Sequence, residues 1–236
     1  VDYPAADVDA AKQFYAAVVG FDYTEGVAEF GGYFRCLQGG RNAAGMMPKL
    51  QPDMPSAWTT YFATDDADAT AAAITAAGGT VIAGPHDVGT LGRMIVAIDS
   101  QGATFGAWQA QDHLGAEIYN EPGSLTWNEA AMADADAARA FYTKVFGFSY
   151  EEVPDAGGYT TFSTGGDPLG GIGGHSPGTP QGWQTCFAVS STDAAVAAVE
   201  AHGGKVVSPP ADTPFGRFAV VEDPWGAPFE LMQLPD

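Results

Sequence analysis

Cysteine is nearly absent from this chain of 236 residues: two thiols, Cys36 and Cys186, each stand in an apolar, strand-like stretch. Two such thiols build no disulfide framework, and buried thiols suit a cytoplasmic protein. Basic residues are scarce too, 9 Lys and Arg against 29 Asp and Glu, for a net charge of −20. So acidic a chain repels phosphate backbones and anionic headgroups, which sets aside nucleic acid and membrane surfaces as partners. The acidity keeps an Ala- and Gly-rich surface soluble and would also draw in a cationic ligand. No apolar run approaches the length that spans a bilayer, and no signal-peptide pattern precedes the first helical stretch. The chain opens on Val1 within a strand-like segment, so further residues are expected ahead of it. Histidines number four and are dispersed: His86 and His113 in loops, His175 after a Gly run, His202 near the end of an Ala-rich helix. The last suits the negative end of a helix dipole. Also missing are a nucleophile elbow, a phosphate-cradling Gly-rich loop and zinc-type Cys/His spacing.

What the chain does have is apolar residues, 46% of the total against 16% charged, the balance of a globular protein. It also has an internal repeat. Asp7-Val8-Asp9-Ala10-Ala11-Lys12-Gln13-Phe14-Tyr15, then Gly20-Phe21, returns 127 positions later as Asp134-Ala135-Asp136-Ala137-Ala138-Arg139-Ala140-Phe141-Tyr142, then Gly147-Phe148. Phe62, Gly78-Gly79, Pro85, Gly92-Arg93, Asp99 and Gly102 return as Phe187, Gly203-Gly204, Pro210, Gly216-Arg217, Asp223 and Gly226. The period is too long for a solenoid and reads as a duplicated domain. The turn-rich stretch from Ala110 to Gly123 divides it, giving expected domains at 1–112 and 122–236.

Each half divides again. An Asp cap opens a helix with apolar residues at helical spacing, Ala138, Phe141, Tyr142 and Val145 in the later copy, and a Gly stops it. Short strand-like runs follow, Gly32 to Leu37 and Gly45 to Met47, or Tyr159 to Ser163. The other kind of module opens with a strand, Thr59 to Ala63 or Gln184 to Val189. An Ala-rich helix and a Gly-Gly pair come next. Strands then run Thr80 to Ile82, Met94 to Ile98 and Thr104 to Gln109, or Lys205 to Val207, Phe218 to Glu222 and Pro228 to Gln233. The expectation is an α+β chain of four βαβββ modules.

Phe-Tyr followed by Gly-Phe, and Gly-Gly followed by Asp-x-x-Gly-x-x-Phe, cover nearly the whole chain in both copies. With them it resembles the vicinal oxygen chelate superfamily of glyoxalases, bleomycin-resistance proteins and extradiol dioxygenases. Asn120-Glu121-Pro122-Gly123-Ser124-Leu125-Thr126-Trp127-Asn128-Glu129 looks like the linker and strand of two-domain, glyoxalase-like actinobacterial proteins. The resemblance implies tandem glyoxalase-like domains whose four modules form two cupped mixed sheets. In the family's enzymes a divalent metal sits in the cup, held by first-strand side chains and a last-strand carboxylate.

Few of those positions carry ligands here. In the later half, Trp127 and Gln184 stand at the first-strand positions; indole cannot bind a metal, and an amide binds weakly. The last strand keeps Glu230, which suits a hydrogen-bonded carboxylate better than a lone metal ligand. Gly170-Gly171-Ile172-Gly173-Gly174 offers no ligand. In the earlier half Thr59 and Gly106 occupy the matching places, and the remaining first-strand position lies ahead of Val1. No metal and no other cofactor is expected. Strand alternation sets Trp127 with Glu129, Gln184 with Cys186, and Glu230 with Met232 on inward faces. The first cup would be lined by Asp2, Thr59, Tyr61, Gly106 and Trp108, with Gly106 leaving room. Arg93 and Arg217 suit structural ion pairs or loop clamps.

An apolar box with a few convergent polar groups suits a small organic ligand, cationic or polar-aromatic, with Trp127, Gln184, Met232, Tyr61 and Trp108 as contact residues. The other reading is metal-independent acid–base chemistry by Glu129 and Glu230, as in an isomerase or tailoring enzyme. A metal-dependent glyoxalase or dioxygenase fits less well, and ordinary packed cores would use the same residues. The tandem supplies internally the pairing that single-domain relatives reach by dimerising, so a monomer is expected. Light scattering at micromolar concentration should return the mass of one chain; twice that mass would contradict it.

Overall fold

The computed structural model describes residues 1–176 and 180–235; the last position of the second expected domain lies outside them. Each module repeats one plan. The first holds strand β1 (Asp2–Ala5), helix α1 (Val8–Val18), β2 (Asp22–Tyr23), β3 (Phe34–Gln38) and β4 (Arg41–Pro48). The second holds β5 (Tyr61–Ala63), α2 (Ala67–Ala76), β6 (Thr80–Val88), β7 (Gly92–Ile98) and β8 (Thr104–Ala110). The third holds β9 (Ser124–Met132), α3 (Ala135–Phe146), β10 (Ser149–Glu152), β11 (Thr160–Ser163) and β12 (Gly170–Gly174). The fourth holds β13 (Gly182–Ala188), α4 (Thr192–Ala201), β14 (Lys205–Thr213), β15 (Gly216–Glu222) and β16 (Pro228–Gln233). In every module the first strand pairs in parallel with the last, and the last three form an antiparallel meander. The α+β reading with mixed sheets therefore holds.

Local chemistry explains the helix limits. Asp7, Asp66, Asp134 and Ser191 each accept a hydrogen bond from the amide three residues on, which satisfies a donor the helix leaves open. Gly147 closes α3 in a left-handed conformation, φ 71°, that a side chain would resist. Arg93 bridges Asp68 in the first turn of α2 to Asp87 on β6; Arg217 does the same with Asp193 and Asp212. Both arginines are thus structural clamps within their modules.

One expectation needs correcting. The strands after α2 and α4 do not stop at Ile82 and Val207 but run nine residues, through Pro85 and through Pro209-Pro210. Proline donates no hydrogen bond and normally ends a strand. Here register shifts between Ala83 and His86, and between Ser208 and Ala211, carry the prolines past the ladder. Both strands are also module edges, where a missing donor faces no partner.

The chain packs into two compact units. Val1–Trp58, Gly115–Thr126 and Thr185–Asp236 make the first; Thr59–Leu114 and Trp127–Gln184 make the second. Each core therefore draws one module from the earlier half of the repeat and one from the later. In the first unit Phe14 and Tyr15 of α1 meet Phe229 edge-on or tilted, and Trp58 meets Phe187 at 4.9 Å. In the second, Phe62, Phe105, Phe141, Phe146, Phe148 and Trp183 surround Tyr142.

A buried carboxylate lies in each core. The Tyr142 hydroxyl donates to Asp99 Oδ2 at 2.7 Å and accepts from the Trp183 indole at 2.6 Å. Asp99 Oδ1 takes the amides of Gln101 and Ala103. In the first unit Tyr15 donates to Asp223 Oδ2 at 3.0 Å and accepts from Trp58, and Tyr3 donates to the same oxygen. Asp223 Oδ1 takes the amides of Trp225 and Ala227. Burial pushes the Asp223 carboxyl upward while these donors oppose the shift. Burial, then the neighbouring carboxylate, holds the Tyr15 and Tyr142 hydroxyls well above the usual phenol range, so both remain donors. The Phe-Tyr and Asp-x-x-Gly landmarks are thus two halves of one contact.

Tyr142→Phe removes one donor to a buried carboxylate and the acceptor for an indole, a loss of about 3 kcal/mol. Tyr150→Phe removes a half-buried hydroxyl that donates to the Arg139 carbonyl and should cost under about 1 kcal/mol. Denaturant unfolding of the two variants should show that order, and equal midpoints would contradict it.

Candidate functional site

The parallel pairing of first and last strands sets four residue pairs side by side: Asp2 with Gly45, Tyr61 with Gly106, Glu129 with Gly171, and Cys186 with Glu230. In the second unit, Asn128, Ala130 and Met132 of β9 are buried, and the Thr60 hydroxyl donates to Asn128 Oδ1 at 2.8 Å. Alternation therefore turns Trp127, Glu129 and Tyr61 away from this core. The structure brings Trp127 to Glu129 through a shared partner.

A residue outside the expected set joins Trp127 to Glu129. The Tyr159 hydroxyl accepts from the Trp127 indole at 2.8 Å and donates to Glu129 Oε2 at 3.1 Å. This is possible because β12 carries glycine beneath the ring: a Cβ on Gly171 would lie 1.8 Å from the hydroxyl, and one on Gly173 would lie 2.9 Å from the ring. All three side chains of the chain Trp127–Tyr159–Glu129 are half-buried. β13 neighbours β9 in the sheet. Trp183 faces the core, so Gln184 faces the side of Trp127. Gln184 is 5% exposed, and its Oε1 is buried without a hydrogen-bond partner among the described residues. Such an orphan acceptor costs about 1–3 kcal/mol until something donates to it.

The remaining expected residues fall elsewhere. Glu230, 3% exposed, and half-buried Met232 lie on β16 in the first unit, with Glu230 in register between Cys186 and Val220. Tyr61 lies over Gly106, where a Cβ would be 2.3 Å from its ring. The space that Gly106 was expected to leave open is therefore taken by Tyr61. Trp108 lies over Gly92, and its indole donates to the His113 carbonyl at 2.8 Å.

A divalent ion does not fit these residues. Three of the four last-strand places are glycine, and tyrosine covers each: Tyr33 over Gly45, Tyr61 over Gly106, Tyr159 over Gly171. The indole of Trp127 is committed to Tyr159. Among the described residues, no three of His, Cys, Asp and Glu gather where one ion could bind them.

Four βαβββ modules with this pairing define the class. The chain belongs to the Glyoxalase/Bleomycin resistance protein/Dioxygenase superfamily, whose family model matches residues 1–118 and 124–231. It is 39% identical over 242 residues, 99% of this chain and 93% of the relative, to CFP32 of Mycobacterium tuberculosis, whose assignment as a glyoxylase is provisional. It is 36% identical to the anthracycline biosynthesis protein DnrV of Streptomyces peucetius, over 99% of this chain and 91% of the relative. Among solved structures, the Mn(II)-bound glyoxalase from Novosphingobium aromaticivorans matches with a TM-score of 0.68 at 17% identity, over 99% of this chain and 80% of that one. At that identity the likeness is one of fold. No helix among the described residues is long and apolar enough to cross a membrane.

Gly171→Ala should lower stability by about 1–3 kcal/mol, because the new methyl displaces Tyr159 rather than straining the backbone. A double-mutant cycle tests this: the penalty should largely vanish in a Tyr159→Ala background. An equal penalty in both backgrounds would mean Tyr159 does not occupy that space.

Proposed function

We propose that this protein binds a small aromatic organic ligand on the Trp127–Tyr159–Glu129 face of its second unit, without a divalent metal. The chain of hydrogen bonds through Tyr159 carries the reading. It holds an indole face and a carboxylate at fixed positions, the combination that receives a planar ring bearing a hydroxyl or amine. Gln184 adds a buried acceptor still needing a donor. The overall charge of −20 favours a cationic ligand. Relatives named for anthracycline biosynthesis give the class concrete form: polycyclic aromatic compounds with phenolic hydroxyls and an amino sugar.

A second reading has one observation behind it. A tyrosine hydroxyl donating to Glu129 could also pass a proton to or from a bound substrate, so Glu129 could act as a general base. The two readings share a site and differ in whether the ligand leaves changed. A metal-dependent reaction lacks its ligand set on this face.

Titration of the metal-stripped protein with daunorubicin, followed by quenching of tryptophan and drug emission, tests the proposal. Binding should survive chelator treatment. Glu129→Gln keeps shape and removes charge, and should weaken binding on the order of ten- to a hundredfold, the worth of a hydrogen bond to a charged group. Its melting temperature should stay equal or rise. Stoichiometric manganese, nickel or zinc whose removal abolishes binding would overturn the metal-free reading.

A further inference from the structure

We infer a second ligand site in the first unit, at Asp2 and Tyr33, built on the same plan as the Trp127–Tyr159–Glu129 face; the inference rests on the function proposed above. The Tyr33 hydroxyl donates to Asp2 Oδ1 at 3.2 Å, as Tyr159 donates to Glu129. Asp2 pairs in register with Gly45, as Glu129 pairs with Gly171. A Cβ on Gly45 would lie 2.0 Å from the Tyr33 hydroxyl and 2.3 Å from the Asp2 carboxylate, matching the clash at Gly171. Both tyrosines follow a Gly-Gly pair, Gly31-Gly32-Tyr33 and Gly157-Gly158-Tyr159. Acid, tyrosine and glycine thus occur twice, in different units, at the same register.

Packing alone does not account for the arrangement. A glycine inside a strand costs about 1 kcal/mol in backbone freedom and gives up a packing side chain. Neither tyrosine ring is part of a buried core, and both acids remain half-buried and within reach of solvent. What the arrangement supplies is a half-buried carboxylate oriented by a phenol on the face of a sheet. That is a receptor for a hydroxyl or ammonium group of an organic ligand. The two sites differ in one respect. Arg35 pairs in register with Gly45 opposite Asp2, whereas Thr161 holds that place beside Gly171. The first-unit site therefore carries charges of both signs across its row. Its ligand class is an aromatic compound with a hydroxyl or amine for Asp2 and an enolate or carbonyl oxygen for Arg35. A hydroxyquinone edge has both.

Stoichiometry tests the inference, using calorimetric titration of the whole chain with daunorubicin. The wild-type protein should bind two molecules per chain. Tyr33→Phe, which keeps the ring over Gly45, should weaken one site about tenfold and leave the other; Asp2→Asn should do the same with an unchanged melting temperature. Tyr159→Phe and Glu129→Gln should weaken only the other site. One molecule per chain, lost in Glu129→Gln and untouched by Asp2→Asn and Tyr33→Phe, would overturn the second site and leave the proposed function standing. No binding in any form of the protein would overturn the proposed function itself, and the second site with it.

Discussion

Two buried carboxylates hold this fold together. Asp99 and Asp223 sit in turns before last strands, each tied by one oxygen to its own turn and by the other to a tyrosine from a different module. An ionised carboxylate in an apolar core costs several kcal/mol unless its lone pairs are met. Here the backbone meets one oxygen and a phenol meets the other, and an indole satisfies the phenol in turn. The contact works only when the helix carrying Phe-Tyr lies against the turn carrying Asp-x-x-Gly. It selects which modules share a core. Tyr15 of the first module meets Asp223 of the fourth, and Tyr142 of the third meets Asp99 of the second.

That choice of partners orients everything on the strands. Once Asn128, Ala130 and Met132 are committed to the second core, the pleat leaves Trp127 and Glu129 no other face. The same holds for Tyr61 opposite Thr60 and Phe62. A site residue here is what alternation leaves over after the core has been filled. Glycine then decides what that face does. Where the last strand carries Gly45, Gly106 or Gly171, a tyrosine ring lies on the bare backbone. Where it carries Glu230, a side chain stands in place of the ring.

Much of this was legible in the sequence, because it rests on short-range patterns. Asp caps, helical spacing at Ala138, Phe141 and Tyr142, and Gly stops placed the helices. Strand alternation placed Trp127 with Glu129. The pairing of cores was not legible, since the duplicated segments mark what is repeated and not which copies touch. Nor were the long edge strands, because Pro85 and Pro210 read as breaks unless the register shifts that absorb them are seen. The tyrosines were missed for a simpler reason: Tyr33 and Tyr159 fall within the strand-like runs from Gly32 to Leu37 and from Tyr159 to Ser163, and such a run does not show which neighbouring strand a ring will cover. Their signal was the Gly-Gly-Tyr triplet present in both halves, together with glycines in otherwise apolar last strands.

At the four paired positions of first and last strands, three last-strand places are glycine covered by tyrosine. A metal cup needs several inward ligands converging on one point, with room left for substrate oxygens. Glycine at a last-strand place removes a side chain and leaves space, and a half-buried carboxylate beside that space is stabilised by a donor that reaches it. Tyrosine does both at once: its ring covers the bare strand, and its hydroxyl meets the acid two strands away. The result keeps a polar point in the sheet face and exchanges ion coordination for hydrogen bonding, with Trp127 as an apolar wall beside it. Hydrogen bonds of this kind bind through direction and shape. On the binding reading proposed above, selectivity would follow from where a ligand places its hydroxyls against Glu129 and Gln184.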